Sequence, residues 1–208
     1  MALAHLARSH ALLGNVAEAV RHGREALRLA EEVGHRYSVM NAVWNLGDVL
    51  MTRGALDEAI SMFERFAALV RDKEVGIHVT ASLGYALVLS GRVREGIALF
   101  ETDCAVIDGA GWELFKAHAL AYLGHAYLVA GRIHDAETRG HEALTLARHR
   151  GERGAEGWAL WLLAETAARQ EPVAYDDANA RYAEALALAG QLGLRPLMMA
   201  VTSLNWYG

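Results

Sequence analysis

The sequence has little of several residue types on which common protein classes depend. Its 208 residues include one cysteine and two prolines. A single cysteine cannot form an internal disulfide, which favours a reducing compartment. Lysine occurs only at Lys73 and Lys116, and the net charge of −5 argues against a nucleic-acid surface, which needs clustered basic residues. No apolar run approaches the roughly 20 residues that a membrane-spanning helix needs.

Motifs for catalysis and cofactor binding are also missing from the sequence. Neither a GxxxxGK[ST] loop nor a strand-borne GxGxxG occurs, so no nucleotide site is predicted. The ten histidines contain no HExxH pattern, and His118 and His125 lie seven residues apart, about two helical turns. We therefore predict no enzyme activity, no metal and no cofactor. The first residues lack the layout of a secretory signal, which predicts a cytoplasmic protein.

What the sequence does contain is a repeat. Lone glycines recur at intervals of 37 to 40 residues, each between two apolar helical patterns. Glycine readily adopts the left-handed conformation that ends a helix, so each one predicts the turn of a helical hairpin. A period in this range is typical of helical solenoids, whose units bury their apolar faces against neighbouring units. The four turn glycines are Gly14, Gly54, Gly91 and Gly131.

Further positions recur around each turn glycine. Leu-Gly pairs occur upstream at Leu46-Gly47, Leu83-Gly84 and Leu123-Gly124. A small residue follows the turn, and a position four or seven residues later in the second helix is either phenylalanine or alanine. The small residues are Ala19, Ala59, Gly96 and Ala136, and the later positions are Ala26, Phe63, Phe100 and Ala143.

This pattern resembles the tetratricopeptide repeat over nearly the whole chain. The resemblance implies an all-α, right-handed solenoid of about five helical hairpins plus one unpaired C-terminal helix. We predict one domain over residues 1–208. Its repeats are expected at residues 1–34, 35–74, 75–111, 112–153 and 154–193, with a partial repeat at 194–208. Gly96 departs from the usual alanine, and Pro172 replaces a glycine turn in the fifth repeat.

In the family, the first helix of each hairpin lines the concave face of the solenoid. The phase of the Leu-Gly pairs then selects aromatic, histidine and polar residues for that face, a composition typical of peptide recognition. For Trp44 and Trp158, packing between repeats is an equally good interpretation. The predicted binding residues are Asn41, Trp44, Asp48, His78, Tyr85, His118, His125, Trp158, Trp161 and Glu165.

Two functions remain open on these observations. The first is a non-catalytic scaffold that binds a protein or peptide in the concave groove. The second follows from the length of the repeats, which is similar to that in the C-terminal arrays of bacterial LuxR-type and cyclase-associated ATP-dependent regulators. That resemblance implies a sensor array for a small molecule or peptide signal.

The family's basic clamp for a carboxylate tail has no counterpart here, because the matching inward places hold Ala4, Trp44, Ala81, Ala121 and Trp161. We expect neither direct nucleic-acid binding nor a membrane contact. The apolar terminal repeats predict a possible homo-oligomer.

Overall fold

The structure is a computed structural model that describes residues 1–70, 73–107 and 115–202, with side chains except at 73–79 and 103–107. These residues form eleven α-helices and no strand, which confirms the all-α prediction over this part of the chain. The helices are α1 (Ala2–Leu12), α2 (Val16–Val33), α3 (Arg36–Arg53), α4 (Leu56–Leu69), α5 (Lys73–Leu89), α6 (Val93–Ile107), α7 (Lys116–Val129), α8 (Ile133–Arg150), α9 (Arg153–Arg169), α10 (Tyr175–Leu192) and α11 (Arg195–Thr202).

The helices belong to two compact units. The N-terminal unit, Met1–Gly111, contains the hairpins α1–α2, α3–α4 and α5–α6. The C-terminal unit, Trp112–Gly208, contains the hairpins α7–α8 and α9–α10, followed by α11. The single domain over residues 1–208 stays a prediction.

The hairpin turns use glycine as the sequence predicts. Gly14, Gly54, Gly91 and Gly131 have φ angles of 78°, 83°, 87° and 76°, in the left-handed region. At Gly54 and Gly131 an added Cβ would meet no atom within 4 Å. The backbone conformation therefore requires glycine at these two turns, and crowding does not.

A second set of glycines is required by close packing inside the hairpins. A Cβ at Gly47 would lie 2.5 Å from Cε1 of Phe63, which is fully buried. In the third hairpin, a Cβ at Gly96 would lie 2.4 Å from the backbone oxygen of Gly84. Backbone cannot move aside as a side chain can, so α5 and α6 cross too closely for alanine. This contact explains the departure of Gly96 from the repeat pattern.

Ion pairs join successive second helices on the outside of each unit. In the N-terminal unit, Arg24 of α2 pairs with Glu58 of α4 at 3.2 Å, and Arg65 of α4 pairs with Glu31 of α2 at 2.5 Å. In the C-terminal unit, Arg148 of α8 pairs with a carboxylate of α10 at 2.6 Å. The partners are largely exposed, so each pair contributes about 1 kcal/mol or less.

The last described helix, α11, packs against α9 and α10. Leu197 and Ala200 are buried there, whereas Met199 is 58% exposed. The sequence predicts that the unpaired C-terminal helix runs from about Pro196 to Trp206, and residues 203–206 of this range lie outside the described part. Association through the terminal repeats stays a prediction.

Candidate binding faces

The first helices of consecutive hairpins pack side by side in each unit. In the N-terminal unit α3 contacts both α1 and α5, and in the C-terminal unit α9 contacts both α7 and α11. We call these two rows the N-terminal face and the C-terminal face. The predicted binding residues divide between them, Asn41 to Tyr85 on the first and His118 to Glu165 on the second.

On the N-terminal face, polar side chains link the three helices. Nε of Arg8 in α1 lies 3.7 Å from Oδ2 of Asp48 in α3, and the Arg8 guanidinium lies 5.6 Å from the ring of Trp44. The indole nitrogen of Trp44 donates to the hydroxyl of Ser82 in α5 at 3.4 Å. The structure thus places the predicted binding residues Trp44 and Asp48 close together, and Arg8 contacts both of them.

Two asparagines of α3 place unsatisfied oxygens beside this group. The Asn45 amide nitrogen donates to the backbone oxygen of Asn41 at 2.8 Å, which fixes the orientation of the amide. The Oδ1 atoms of Asn41 and Asn45 are buried and accept no hydrogen bond from the described residues. The Asn45 residue is only 1% exposed. A buried acceptor without a donor costs free energy, so these oxygens favour a donor from outside the chain.

Asp48 adds a carboxylate that its surroundings only partly compensate. Burial raises the pKa of Asp48, and the positive charge of Arg8 opposes that rise. The side chains of Asp48 and Arg8 keep 16% and 29% of their surface exposed, and their 3.7 Å separation is too long for a hydrogen bond. The ionised carboxylate is therefore held by a loose ion pair.

The remaining predicted residues of the N-terminal unit are His78 and Tyr85. Tyr85 is 6% exposed, so little of its surface is available to a ligand. The side chain of His78 lies outside the described residues. Binding roles for both residues stay predictions.

On the C-terminal face, aromatic rings pack tightly against one another. The rings of His125 and Trp161 lie 4.9 Å apart, and those of Trp158 and Trp161 lie edge to face at 5.6 Å. His118 contacts Tyr122 edge to face at 4.8 Å. Such arrangements are favoured by the charge distribution of aromatic rings. The face is therefore built from ring contacts, where the N-terminal face is built from polar groups.

Burial separates the members of this aromatic group. Trp161 is 5% exposed and His125 is 3% exposed, so both are core residues of the C-terminal unit. Trp158 is half-buried and packs against the buried cluster of Leu120, Ala143 and Ala159. The packing interpretation of Trp158 is thus supported by a contact, and its role in ligand binding stays a prediction.

Burial also controls the charge state of His125. Loss of solvent, with the positive charge of Arg169 as a smaller cause, lowers the pKa of His125 to about 3. The imidazole is therefore neutral at physiological pH. The indole nitrogen of Trp161 beside it is buried and donates to no acceptor among the described residues.

Glu165 of α9 is bonded to side chains of its own hairpin. The Tyr182 hydroxyl in α10 donates to Oε1 of Glu165 at 2.6 Å, and Arg169 pairs with Oε2 of Glu165. Burial, aided by this hydrogen bond, raises the pKa of the Tyr182 hydroxyl. Glu165 is thus already bonded to two side chains of its own hairpin, which reduces what it can offer a ligand.

The set of predicted binding residues omits three that the structure places at these faces. Arg8, Asn45 and Tyr182 contact predicted residues directly. Asn45 could have been found from sequence, because a polar residue inside the apolar stretch of α3 lies four residues after Asn41 and three before Asp48. Nothing in the repeat pattern identifies Tyr182.

Two further features concern metals and membranes. Within the described residues, no group of three or more histidine, cysteine, aspartate or glutamate side chains is placed to hold a metal ion. Over the same residues, no helix combines the length and apolar character needed to cross a bilayer.

The fold, and part of the sequence, are similar to those of known proteins. The family model described as tetratricopeptide repeat matches residues 1–72. No curated protein matches the sequence. PlcR of Bacillus thuringiensis, solved in complex with the peptide PapR7 and DNA, is similar with a TM-score of 0.80 and 12% identity, over 97% of this chain and 73% of that one.

Two other solved structures share the hairpin architecture. The TPR-like repeats of a Podosopora anserina protein described as a kinesin light chain match with a TM-score of 0.59 and 20% identity, over 95% of this chain and 93% of that one. MamA of Desulfovibrio magneticus RS-1 matches with a TM-score of 0.53 and 17% identity, over 91% and 96%. Residues 1–72 therefore match the tetratricopeptide-repeat family model, and the described hairpins share the fold of these solved structures.

Proposed function

We propose that this chain is a non-catalytic scaffold that binds a peptide or an extended protein segment along its first helices. The observation that carries the proposal is the N-terminal face, where the half-buried Trp44 and Asp48 lie beside buried oxygens that accept no hydrogen bond. Side chains of this kind match a peptide, which carries many hydrogen-bond donors and apolar groups. The similarity to PlcR, which was solved with a bound peptide, supports the same class of ligand.

The experiment is a selection of short random peptides on the immobilised chain. Enriched peptides are then titrated against the wild type and against Trp44→Ala and Trp158→Ala, which alter half-buried rings on the two faces. The matched control is Tyr175→Ala, because Tyr175 is 71% exposed at the start of the outer helix α10.

We expect at least one of the two face variants to weaken binding by about tenfold, with the control unchanged. Circular dichroism checks that each variant keeps its helix content. The proposal fails if no peptide is enriched, or if enriched peptides bind all three variants as they bind the wild type.

A second candidate is a sensor array that belongs to a bacterial regulator. The PlcR structure favours it, since that protein was solved with DNA as well as peptide and is similar over 97% of this chain. The candidate requires an ATPase or DNA-binding module in the same reading frame as the gene for this chain. Sequencing the surrounding locus tests it, and a gene without such a module would contradict it.

A further inference from the structure

We propose that the N-terminal face binds a cationic group of the ligand at Asn41, Asn45 and Asp48, and that Arg8 is an internal cation that the ligand displaces. The ligand group is an ammonium or guanidinium, supplied by a free peptide amino terminus or by a lysine or arginine side chain. This inference rests on the proposed function and adds the charge and chemistry of the group that is recognised.

The first argument is an excess of acceptors over donors on one side of α3. Asn41, Asn45 and Asp48 are spaced by four and three residues, so they follow one another along a single helix face. They span about 10 Å at the helical rise. The two amide oxygens accept nothing from the described residues, and Asn45 is almost completely buried. A group with several N–H donors is the chemical complement of this strip.

The second argument concerns the position of Arg8. Its guanidinium lies near both the Asp48 carboxylate and the face of the Trp44 ring, a combination that attracts cations. Its ion pair with Asp48 is long, at 3.7 Å, and both side chains keep contact with solvent. Arg8 therefore marks the place where a cation is favoured without filling it tightly.

The third argument is the electrostatic balance of Asp48. Burial raises the pKa of this carboxyl despite the presence of Arg8. A closer cation with shorter hydrogen bonds would stabilise the ionised form further. An anionic ligand would instead meet the Asp48 charge and the two amide oxygens, so it would have to bind Arg8 alone.

Two variants with opposite expected effects test the proposal. Asp48→Asn removes the recognised charge, and Arg8→Gln removes the internal competitor. With a peptide enriched in the selection above, Asp48→Asn should raise Kd by about tenfold. Arg8→Gln should lower Kd for the same peptide. Asp57→Asn is the matched control, because it removes an equal charge from an exposed site in the same unit and should change Kd by less than about twofold.

Modified peptides distinguish the two sources of the cation. If acetylation of the amino terminus abolishes binding, the terminal ammonium is recognised. If replacement of lysine or arginine by glutamine abolishes it, a side chain is recognised. Either result supports the proposal, and binding that survives both changes overturns it.

Other outcomes separate this inference from the proposed function. If Arg8→Gln weakens binding while Asp48→Asn strengthens it, the face binds an anion and the inference is wrong. If the enriched peptides carry no cationic group yet Trp44→Ala weakens their binding, peptide recognition holds and the inference is wrong. If no peptide is enriched, both proposals fail. Circular dichroism on each variant shows whether the helices persist.

Discussion

The N-terminal and C-terminal faces are built by the same kind of helix and differ in what those helices carry. On the N-terminal face, Trp44 and Asp48 are half-buried beside oxygens that accept no hydrogen bond from described residues. On the C-terminal face, His125 and Trp161 are about 95% buried or more and contact each other directly. Equivalent positions of the repeat are thus partly exposed in the N-terminal unit and buried in the core of the C-terminal unit.

This difference shows that an inward position in a repeat does not determine exposure. Trp44 and Trp161 both lie three residues before a small-residue packing site of their first helix, Gly47 and Ala164. Trp44 keeps a hydrogen bond to Ser82 and a contact with Arg8, whereas Trp161 is enclosed by two other rings. The neighbouring helices decide how much of each indole remains accessible.

The largest expected effect is that of removing the buried indole. We expect Trp161→Ala to lower the free energy of unfolding by about 3–5 kcal/mol, because it leaves a cavity in the C-terminal unit. Trp44→Ala should cost about 1–2 kcal/mol, since part of that ring already contacts solvent. Urea unfolding followed by circular dichroism measures both. Equal losses would show that the two faces do not differ in burial.

The next effect is the pH dependence contributed by His125. Its pKa is about 3 in the folded state and about 6.5 in the unfolded chain, so the unfolded state binds the extra proton between these values. Stability should therefore fall as pH decreases below 6.5, by about 1.4 kcal/mol per pH unit from this group.

The variant His125→Gln should make the stability of the protein less sensitive to pH between about 4 and 6. His149→Gln serves as the control, because His149 is exposed on α8. Urea unfolding at several pH values gives the slopes. If the wild type and His125→Gln have the same slope, His125 does not change its protonation on unfolding as its burial implies.

A smaller loss of stability should follow when a turn glycine is replaced in either unit, because both units use left-handed glycine turns. Gly54→Ala and Gly131→Ala each force a left-handed conformation on alanine, which costs about 1–2 kcal/mol. The control is Gly190→Ala, an exposed position within α10 whose added Cβ meets nothing within 4 Å. That change should be neutral or stabilising by up to about 1 kcal/mol. Thermal unfolding of the three variants measures these changes. If the losses of stability in Gly54→Ala and Gly131→Ala differed widely, the two units would not share one turn design.

The smallest effect concerns the N-terminal face. Because burial raises the pKa of Asp48, the folded state disfavours the ionised carboxyl at neutral pH. We expect Asp48→Asn to increase the free energy of unfolding slightly at pH 7. The gain should disappear below the ordinary pKa of aspartate, where the carboxyl is protonated in both states. A decrease in stability at pH 7 would show that the ion pair with Arg8 stabilises the ionised carboxylate by more than its burial destabilises it.

The fold could be predicted in large part because its turns depend on local chemistry. A left-handed turn such as that at Gly54 strongly favours glycine, so a lone glycine between two helical patterns predicts the hairpin turn. The Leu-Gly pair likewise reflects one contact, the edge of the Phe63 ring against Gly47. The reason for Gly96 could not be predicted, since it depends on the distance to the backbone oxygen of Gly84 in another helix.

The site could be predicted only as a set of positions. The helical phase places Trp161 and His125 on the first-helix row, but their depth depends on the rings and helices packed around them. Glu165 shows the same limit, because its partner Tyr182 comes from the second helix of the hairpin. Whether a polar residue has a hydrogen-bond partner depends on the other helices packed around it, so it cannot be predicted from the periodicity of a single helix.

The ion pairs outside the N-terminal unit have a mechanical consequence. Arg24–Glu58 and Arg65–Glu31 each connect residues 34 positions apart, and the two helices exchange the roles of cation and anion. Stretching the outer side of this unit would separate these exposed pairs before it disturbed the buried alanines of α2 and the buried Phe63 of α4. Because the pairs are exposed, salt weakens them by screening. The ionic strength of the medium would thus adjust the elastic compliance of the unit while its folding stability changes little.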